Sequence, residues 1–352
     1  MSTLPPGRIK RDLADFVVEE LPAYEPSGTG EHVLVRITKT DLTTLEAVRR
    51  LSRALSCDQR ETGFAGMKDR RAVTTQTLSL HAPRGVKGED LAARARALAL
   101  EGIVVHDATP HGHKMKPGHL AGNRFSIAVR DVPTDRLGDV GTTLERITRE
   151  GVPNAFGSQR FGREKDNASR ALAWLRDGAE GPRDTRMQRL LWSALQSQVF
   201  NAVLDARVQD DTWATALEGD LLKLRTSGGL FLCADVQTDR ARAATGEVSP
   251  TGPMVGVEMR WSEGAPGELE RWITAATLGD GFDLARTRRL GEGTRRALRV
   301  WVQDLRWEVL QDEPGQGGSC VRVYFVLPKG AYATTVLSAV FALHETPEAE
   351  GT

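Results

Sequence analysis

The sequence predicts an α+β protein, because strand-like and helix-like segments both occur without the strict β-α-β alternation of a parallel sheet. Residues 33–37 (VLVRI) and 72–80 have strand patterns. Between them, Thr43 and Glu46 fit a capping box, and apolar residues then recur at helical spacing up to residue 56. Strands and helices are therefore mixed along the first part of the chain.

The elements that follow within the first 150 residues alternate in the same loose way. Helices are predicted at 91–100 and 142–149, and strands at 103–106 and 125–130. The amino-acid composition changes at residues 151–162 (GVPNAFGSQRFG), which are rich in glycine, proline and asparagine. A new section of the protein is expected to begin there.

This second section contains the clearest amphipathic helix of the chain, at 186–205. Strands around a Ser-Gly-Gly turn are predicted within 218–235, and a loop is predicted at 247–256 (EVSPTGPMVG). Near the end of the chain, two strand patterns and a helical pattern follow: 306–310, 321–328 and the stretch from Ala333.

The composition is that of a soluble globular protein. The chain has 352 residues, of which 40% are hydrophobic and 27% are charged, enough for two domains or one large one. It has no apolar run of membrane-spanning length and no start that resembles a signal peptide. Its three cysteines lie far apart and form no CxxC zinc pair, which suits a reducing compartment. The sequence therefore predicts a cytoplasmic protein, and nothing in it demands more than a monomer.

The charge balance is neutral, with 47 basic and 47 acidic residues. A neutral balance weakly disfavours nucleic acid as a partner, since phosphate binders usually carry excess lysine and arginine. The basic residues are clustered, however, so a neutral protein can still have one basic face. These clusters lie at residues 68–71, 111–116, 160–165, 288–289 and 295–299.

The segment GFAGMKDRRAVTTQ (63–76) places Asp69 among basic residues, after a glycine-rich turn and before a predicted strand. One interpretation is a nucleophile or general base on a loop that Gly63 and Gly66 make adaptable, with cations favouring the ionised carboxylate. The other interpretation is a turn carboxylate in a surface ion pair. The segment is not a P-loop, because it lacks the Gly-Lys-Ser/Thr ending that binds phosphate and magnesium.

The segment HGHKMKPGHLAGNRF (111–125) contains three histidines, but their spacing matches no zinc template, and Lys114 and Lys116 would repel a cation. A basic loop that contacts phosphates is the better interpretation. At its end, Asn123 and Phe125 share one face of a strand, where an amide can bond a base edge and a ring can stack on it. A core strand capped by Asn123 explains the same pattern.

Two further segments contain rings that core packing explains by default. Phe16 lies in IKRDLADFVVEE (9–20), which reads as an ordinary edge strand with Lys10 and Glu20 towards its ends. Phe325 lies in YFVLPKGAYATT (324–335), in a strand that Pro328 ends. Taken singly, neither ring indicates a function.

Together these blocks resemble the TruD family of tRNA pseudouridine synthases, in the family's order, from about residue 9 to about residue 340. GFAGMKDRRAVTTQ and GVPNAFGSQRFG are the most specific blocks. The other matching blocks are IKRDLADFVVEE, GTGEHVLVRITKT, HKMKPGHLAGNRF, SALQSQVFN, SPTGPMVG, GTRRALRV and FVLPKGAYATTVL. Two positions differ from the family pattern: Ala155 stands where an aromatic residue is common, and Met67 varies within the Asp69 loop.

The resemblance implies that the protein converts a uridine of tRNA to pseudouridine, usually uridine 13 in this family, with no metal and no organic cofactor. It implies a catalytic domain of the pseudouridine synthase fold, a mixed and mainly antiparallel sheet with flanking helices. This domain would be discontinuous, formed by residues 1–150 and 300–352, and an α/β TRUD domain would be inserted at 151–299. The compact length resembles that of bacterial tRNA enzymes.

The resemblance also implies roles for single residues. Asp69 matches the catalytic aspartate, which acts at the sugar–base junction by attacking the sugar, attacking the base or removing a proton. Phe16, Asn123 and Phe325 match contacts to the target nucleotide, and Phe125 lies beside Asn123.

Charged residues complete the expected site. Lys10 and Glu20 match polar active-site positions of the family, and Lys10 is the candidate cationic partner of the catalytic aspartate. In the insert, the segment with Arg160, Arg163 and Lys165 is expected to contact RNA phosphates, because it is basic and flanked by glycine-rich sequence. Solvated surface charges are the alternative interpretation.

Two other functions fit the same sequence. One is an RNA-binding protein without catalysis, which would tolerate Asp69→Asn, whereas an enzyme would lose turnover and keep its affinity for RNA. The other is a pseudouridine synthase that acts on another RNA, such as mRNA or a small nuclear RNA.

Overall fold

The computed structural model describes residues 3–162, 164–310 and 318–345. Within these residues the chain separates into two compact units. The described residues of unit 1 lie within 1–145, 302–333 and 337–352, and those of unit 2 lie within 146–301 and 334–336. The assignment of a catalytic domain and an inserted TRUD domain stays a prediction, because compactness alone assigns neither family nor function to a unit.

The described residues form sixteen strands, eight α-helices and five short 3-10 helices. The strands are β1 (Pro6–Ile9), β2 (Phe16–Pro22), β3 (His32–Thr40), β4 (Gly63–Phe64), β5 (Val73–His81), β6 (Ile103–His111), β7 (Leu120–Val132), β8 (Val152–Pro153), β9 (Leu221–Leu224), β10 (Leu230–Leu232), β11 (Val248–Met254), β12 (Thr294–Ala297), β13 (Arg299–Val300), β14 (Gln303–Leu310), β15 (Ser319–Pro328) and β16 (Ala342–Glu345). The helices are α1 (Thr44–Leu55), α2 (Gly88–Arg96), α3 (Leu137–Glu150), α4 (Asn167–Leu175), α5 (Thr185–Gln209), α6 (Val236–Ala244), α7 (Gly264–Leu278) and α8 (Ala333–Ser338). None of these helices is long and apolar enough to cross a membrane.

Unit 1 is built on one sheet of ten strands, with the main order β14-β15-β7-β2-β5-β3-β6. In addition, β4 pairs with β5, and β1 pairs with β7 and β16. The pairings are antiparallel except for β2 with β5 and β1 with β16, which are parallel. The predicted α+β class, with a mixed and mainly antiparallel sheet, is confirmed.

The helices α1 and α2 cover part of one face of this sheet. Along β3, Val33, Val35 and Ile37 alternate with more exposed residues and are fully buried. They pack in one apolar cluster with Leu51 of α1 and Leu91 of α2. Since side chains two apart in a strand share a face, this alternation determines which face of β3 receives the helices.

The predicted start of α1 is confirmed. Thr43 is its N-cap, and its side chain accepts a hydrogen bond from the Glu46 backbone N–H at 3.1 Å. The Glu46 carboxylate in turn accepts from the Thr43 backbone N–H at 2.8 Å. The first turn of the helix therefore has two of its backbone donors satisfied by local sequence alone.

Unit 2 contains a sheet of order β10-β9-β11-β12 and the predicted amphipathic helix, which extends over α5. The predicted loop at 247–256 is wrong, because Val248–Met254 forms the fully buried strand β11. Its proline and glycine residues favour a loop locally, but β9 and β12 pair with it on both sides and override that preference. The prediction of an edge strand within 9–20 is wrong, because β2 lies inside the sheet of unit 1, paired with β7 on one side and β5 on the other. The other predicted helices and strands are present, with ends that differ by a few residues.

The basic cluster at 295–299 has a structural role in unit 2. Arg295 is buried and forms an ion pair with buried Glu270 at 2.6 Å. Arg299 is also buried and donates to the carbonyls of Ala243 and Val248, and burial lowers the pKa of its guanidinium to about 10. These two arginines are therefore committed to the interior, where phosphate has no access.

Histidines from three neighbouring strands of unit 1 lie side by side, and one of them, His111, contacts Tyr24. His32 is paired directly with His81 on one side and with His111 on the other. The His111 ring stacks on Tyr24, with 5.4 Å between ring centroids. Burial lowers the pKa of both His32 and His111, and the nearby histidines add to that shift. The described residues contain no group of three or more His, Cys, Asp or Glu side chains arranged to hold a metal.

We predict that unit 1 loses stability as the pH falls below about 6.5. A histidine whose pKa is lower in the folded state binds fewer protons in the folded protein than in the unfolded protein in this range. The free energy of unfolding therefore decreases as the pH decreases. His32→Phe keeps the ring and removes the proton site, so its stability should depend less on pH. Urea unfolding between about pH 8 and pH 5 measures this. His344→Phe, at an exposed position, is the control; equal pH dependence in both variants would contradict the prediction.

Candidate active site

Five neighbouring strands of unit 1 bring distant parts of the sequence into one row across the sheet. Direct partners from β15 to β3 are, in order, Phe325, Phe125, Val18, Thr74 and Lys39. Directly paired residues point to the same face of a sheet. This row therefore carries a stacked pair of rings at one end and a lysine at the other.

The remaining predicted residues of the sheet lie on the same face. Phe16 and Glu20 are each two residues from Val18 on β2, and Asn123 is two residues from Phe125 on β7. Glu20 and Asn123 are also direct cross-strand partners. The structure thus brings together the aromatic, amide and acidic residues that the sequence singled out.

The rings on this face are buried in unit 1. Phe16, Phe125 and Phe325 are 3%, 6% and 1% exposed. Phe125 and Phe325 stack, with ring centroids 5.1 Å apart and planes 26° from parallel. The core-packing interpretation of these rings is therefore correct. Their burial does not decide whether they also contact a substrate.

Asp69 lies on the loop between β4 and β5, with half of its side chain exposed. The Lys10 Nζ is 3.5 Å from the Asp69 Oδ2 and 4.7 Å from the centroid of the Phe16 ring. Lys10 reaches this place from a backbone with φ of 58°, in the left-handed region that few residues other than glycine adopt. One ammonium thus contacts both the candidate carboxylate and the nearest ring of the apolar face.

A buried ion pair lies next to this carboxylate. The Lys68 Nζ is 2.6 Å from the Glu20 Oε2, and the two side chains are 7% and 2% exposed. Glu20 Oε1 also accepts from the Thr77 backbone N–H at 3.2 Å. Glu20 therefore anchors the segment that carries Asp69, because Lys68, its ion-pair partner, directly precedes Asp69 in the chain.

Lys39 also belongs to the site, although no sequence motif singled it out. It is fully buried, and its Nζ donates to the backbone carbonyls of Asp69 at 2.8 Å and Leu42 at 2.5 Å. Burial lowers the pKa of Lys39 to about 8, and the nearby Asp69 charge opposes that shift. One signal could have found it: the alternation Val33, Val35, Ile37 continues to Lys39 and places a lysine on the buried face.

Three polar atoms on this face are buried without a hydrogen-bond partner among the described residues: Asn123 Oδ1, Thr74 Oγ1 and Gln76 Nε2. Buried polar groups are usually hydrogen-bonded, so a group of buried polar atoms without partners calls for an explanation such as a functional role. Asn123 is only half-buried, which makes its amide the member of the three that is nearest to solvent.

The other predicted RNA contacts belong to other segments of the chain. Lys114 donates to the Arg60 carbonyl at 2.5 Å and lies 3.7 Å from Glu61, and Lys116 is exposed. In unit 2, Arg160 donates to the hydroxyls of Ser193 and Ser197 and lies over the Phe156 ring, and Lys165 is exposed. Arg163 lies outside the described residues.

The sequence matches the family model described as tRNA pseudouridine synthase D (TruD), over residues 5–173 and 178–340. A curated tRNA pseudouridine synthase D from Anaeromyxobacter sp. (strain Fw109-5) is 41% identical, over 98% of this chain and 95% of its own length. Its counterpart from Geobacter sp. (strain M21) is 38% identical, over 95% and 96%. A crystal structure of a candidate TruD protein from Methanosarcina mazei shares the fold, with a TM-score of 0.80 at 24% identity over 97% of this chain and 94% of that one.

We predict that Lys68→Met lowers the free energy of unfolding by about 3–5 kcal/mol, because it leaves the Glu20 carboxylate buried without its cation. Arg124→Met is the matched control: Arg124 binds Glu19, the neighbour of Glu20, at the protein surface. Its removal should cost only about 0–1 kcal/mol, since solvent screens exposed pairs. Chemical denaturation of the two variants measures the difference, and equal losses would show that the Lys68–Glu20 pair is not desolvated.

Proposed function

We propose a specific reaction for this chain, which belongs to the TruD family of tRNA pseudouridine synthases: it isomerises uridine 13 of tRNA, with Asp69 as the catalytic residue. Membership of the family makes the protein an isomerase that forms pseudouridine in tRNA. The target position and the residue that performs the chemistry are the proposed part. The observation that supports Asp69 most directly is its half-exposed carboxylate, held 3.5 Å from Lys10 beside the aromatic face.

The isomerisation breaks the C1′–N1 glycosidic bond of the target uridine, lets the uracil turn, and rejoins it to C1′ through C5. C5 loses its proton as it forms the bond to C1′, and N1 takes up a proton in place of the bond it lost, so the overall composition does not change. Asp69 supplies the carboxylate at the sugar–base junction, as a nucleophile towards sugar or base or as a base that removes a proton. All three routes use the ionised carboxylate, and the Lys10 ammonium lies 3.5 Å from it.

Other groups of the face suit the uracil. Asn123 Oδ1 has no partner among the described residues and can accept a hydrogen bond from the uracil N3–H. Extrusion of a uridine from its stack costs a few kcal/mol, and contact with aromatic rings offsets part of that cost. Phe16 is linked to the carboxylate through Lys10, whose ammonium contacts both. Phe125, two residues from Asn123 on β7, and Phe325 add a stacked pair of rings to the same face.

We predict that Asp69→Asn abolishes pseudouridine formation and leaves tRNA binding intact. The amide has the size of the carboxylate but can neither attack carbon nor accept a proton effectively. Carbodiimide labelling followed by primer extension on unmodified tRNA transcripts reports the product, and a transcript with cytidine at position 13 tests the target. Filter binding reports the affinity for tRNA.

Asp41→Asn is the matched control for this experiment, because Asp41 is a half-exposed aspartate that pairs with Arg70 in the same loop region. This variant should form pseudouridine at the wild-type rate. A primer-extension stop at another position would show that the protein is a pseudouridine synthase with a different target uridine. Undiminished activity of Asp69→Asn would exclude Asp69 as the catalytic residue, and tight tRNA binding with no product from wild type would favour a binding protein without catalysis.

The basic segment of unit 2 is the proposed contact for tRNA phosphates, and Lys165 is its exposed member among the described residues. We predict that Lys165→Gln weakens tRNA binding and lowers the slope of log K against log salt by about 1. Arg160→Gln should change that slope less, because the Arg160 guanidinium already donates to Ser193 and Ser197. Binding titrations at several salt concentrations measure both slopes; an unchanged slope for Lys165→Gln would refute this contact.

A further inference from the structure

We infer that Lys39 is a positioning residue for the reaction, because its buried ammonium holds the backbone carbonyl of Asp69 and so determines where the carboxylate lies. The inference rests on the proposed catalytic role of Asp69. It adds a residue that does not contact the target nucleotide and acts through the loop that carries the catalytic group.

The bonds of Lys39 connect the loop to a rigid support. The Nζ donates to the Asp69 carbonyl at 2.8 Å and to the Leu42 carbonyl at 2.5 Å. Lys39 itself lies near the end of β3, which is hydrogen-bonded to β5 on one side and to β6 on the other. A strand that is paired on both edges moves little. The Lys39 ammonium therefore fixes the Asp69 loop to a rigid part of the sheet.

The chemistry of Lys39 is costly for a purely structural residue. It occupies a fully buried position, directly after Val33, Val35 and Ile37 on the same face. Among the described residues it makes no ion pair with a carboxylate, and its acceptors are two carbonyls. Burial lowers the pKa of Lys39 to about 8, and Lys68 lowers it further while Asp69 and Glu46 raise it. Methionine would fill the same space without burying a charge. The two hydrogen bonds to the carbonyls of Asp69 and Leu42 therefore explain why an ammonium is buried here.

A second buried side chain, that of Thr44, holds another peptide group of the same loop. Thr44 Oγ1 accepts from the Lys68 backbone N–H at 2.9 Å and donates to Gln76 Oε1 at 3.0 Å. The backbone is therefore held at the N–H of Lys68 and at the C=O of Asp69, one on each side of the Asp69 Cα region. These two anchors restrict the backbone that carries the Asp69 side chain, which is the preorganisation that a positioned catalytic group requires.

The test is Lys39→Met in the full-length protein, measured by steady-state kinetics on tRNA transcripts. We expect kcat to fall roughly 10-fold to 100-fold with little change in the KM for tRNA, because a small misplacement of a reacting group slows chemistry without weakening binding. Leu91→Ala is the stability control: Leu91 is equally buried in unit 1, on α2, and makes no hydrogen bond to the loop through its side chain. It should lower the melting temperature and leave kcat per folded molecule unchanged.

A second readout is independent of activity. Hydrogen–deuterium exchange in the peptide that covers residues 66–72 should become faster in Lys39→Met, and it should keep its wild-type rate in Leu91→Ala under conditions where both are folded. Faster loop exchange supports the anchor even if wild type forms no pseudouridine, and in that event only the proposed function fails. Wild-type loop exchange or wild-type kcat in Lys39→Met would overturn the inference.

Thr44→Val provides the same test if Lys39→Met does not fold. It removes the other backbone anchor with almost no change in shape, and the exposed charge of Asp69 is untouched. We expect faster exchange of residues 66–72 and a smaller fall in kcat than for Lys39→Met, since a neutral hydroxyl bonds less strongly than an ammonium. Unchanged exchange and unchanged kcat in this variant would also overturn the idea that buried side chains on β3 and α1 position the Asp69 loop.

Discussion

The register between β2 and its two neighbours is the constraint on which the candidate site depends. It aligns Val18 with Phe125 on one side and with Thr74 on the other, and so connects the aromatic end of the row to Lys39. A slip of β2 by one residue would turn Phe16, Val18 and Glu20 to the opposite face, away from Phe125 and Thr74. The parallel pairing of β2 with β5 is essential to this arrangement, because it joins the N-terminal segment to the strand that follows the Asp69 loop.

The charges of the site are distributed unequally between solvent and interior. Lys39, Lys68 and Glu20 are buried, and each is tied to the backbone or to the other charge. Asp69 alone among these four keeps half of its side chain exposed. Burying three charged groups around a loop reduces stability relative to an apolar core, and proteins tolerate such costs where function requires a fixed geometry. The buried charges therefore serve as a support, and the exposed carboxylate is the group left available for chemistry.

Clusters of basic residues in the sequence have different roles in the structure. Arg295 and Arg299 are interior residues of unit 2, satisfied by Glu270 and by carbonyls. Arg160 is engaged by two serine hydroxyls, whereas Lys165 is exposed. A run of arginines and lysines is thus a poor measure of a phosphate-binding surface, because a planar guanidinium with five donors can be fully used inside a protein.

Local sequence by itself determined the elements whose signals are local: α1 with its Thr43–Glu46 capping box, the helix α5, and the alternating strands β3, β5 and β15. The motif around Asp69 and its resemblance to a family were also legible in the sequence. The tertiary structure decided that EVSPTGPMVG contains a strand, since pairing on both edges overrides proline and glycine signals. It also decided that Lys39 meets the Asp69 carbonyl 30 residues further along the chain. No spacing rule contains that contact, because it depends on where a loop returns to the sheet.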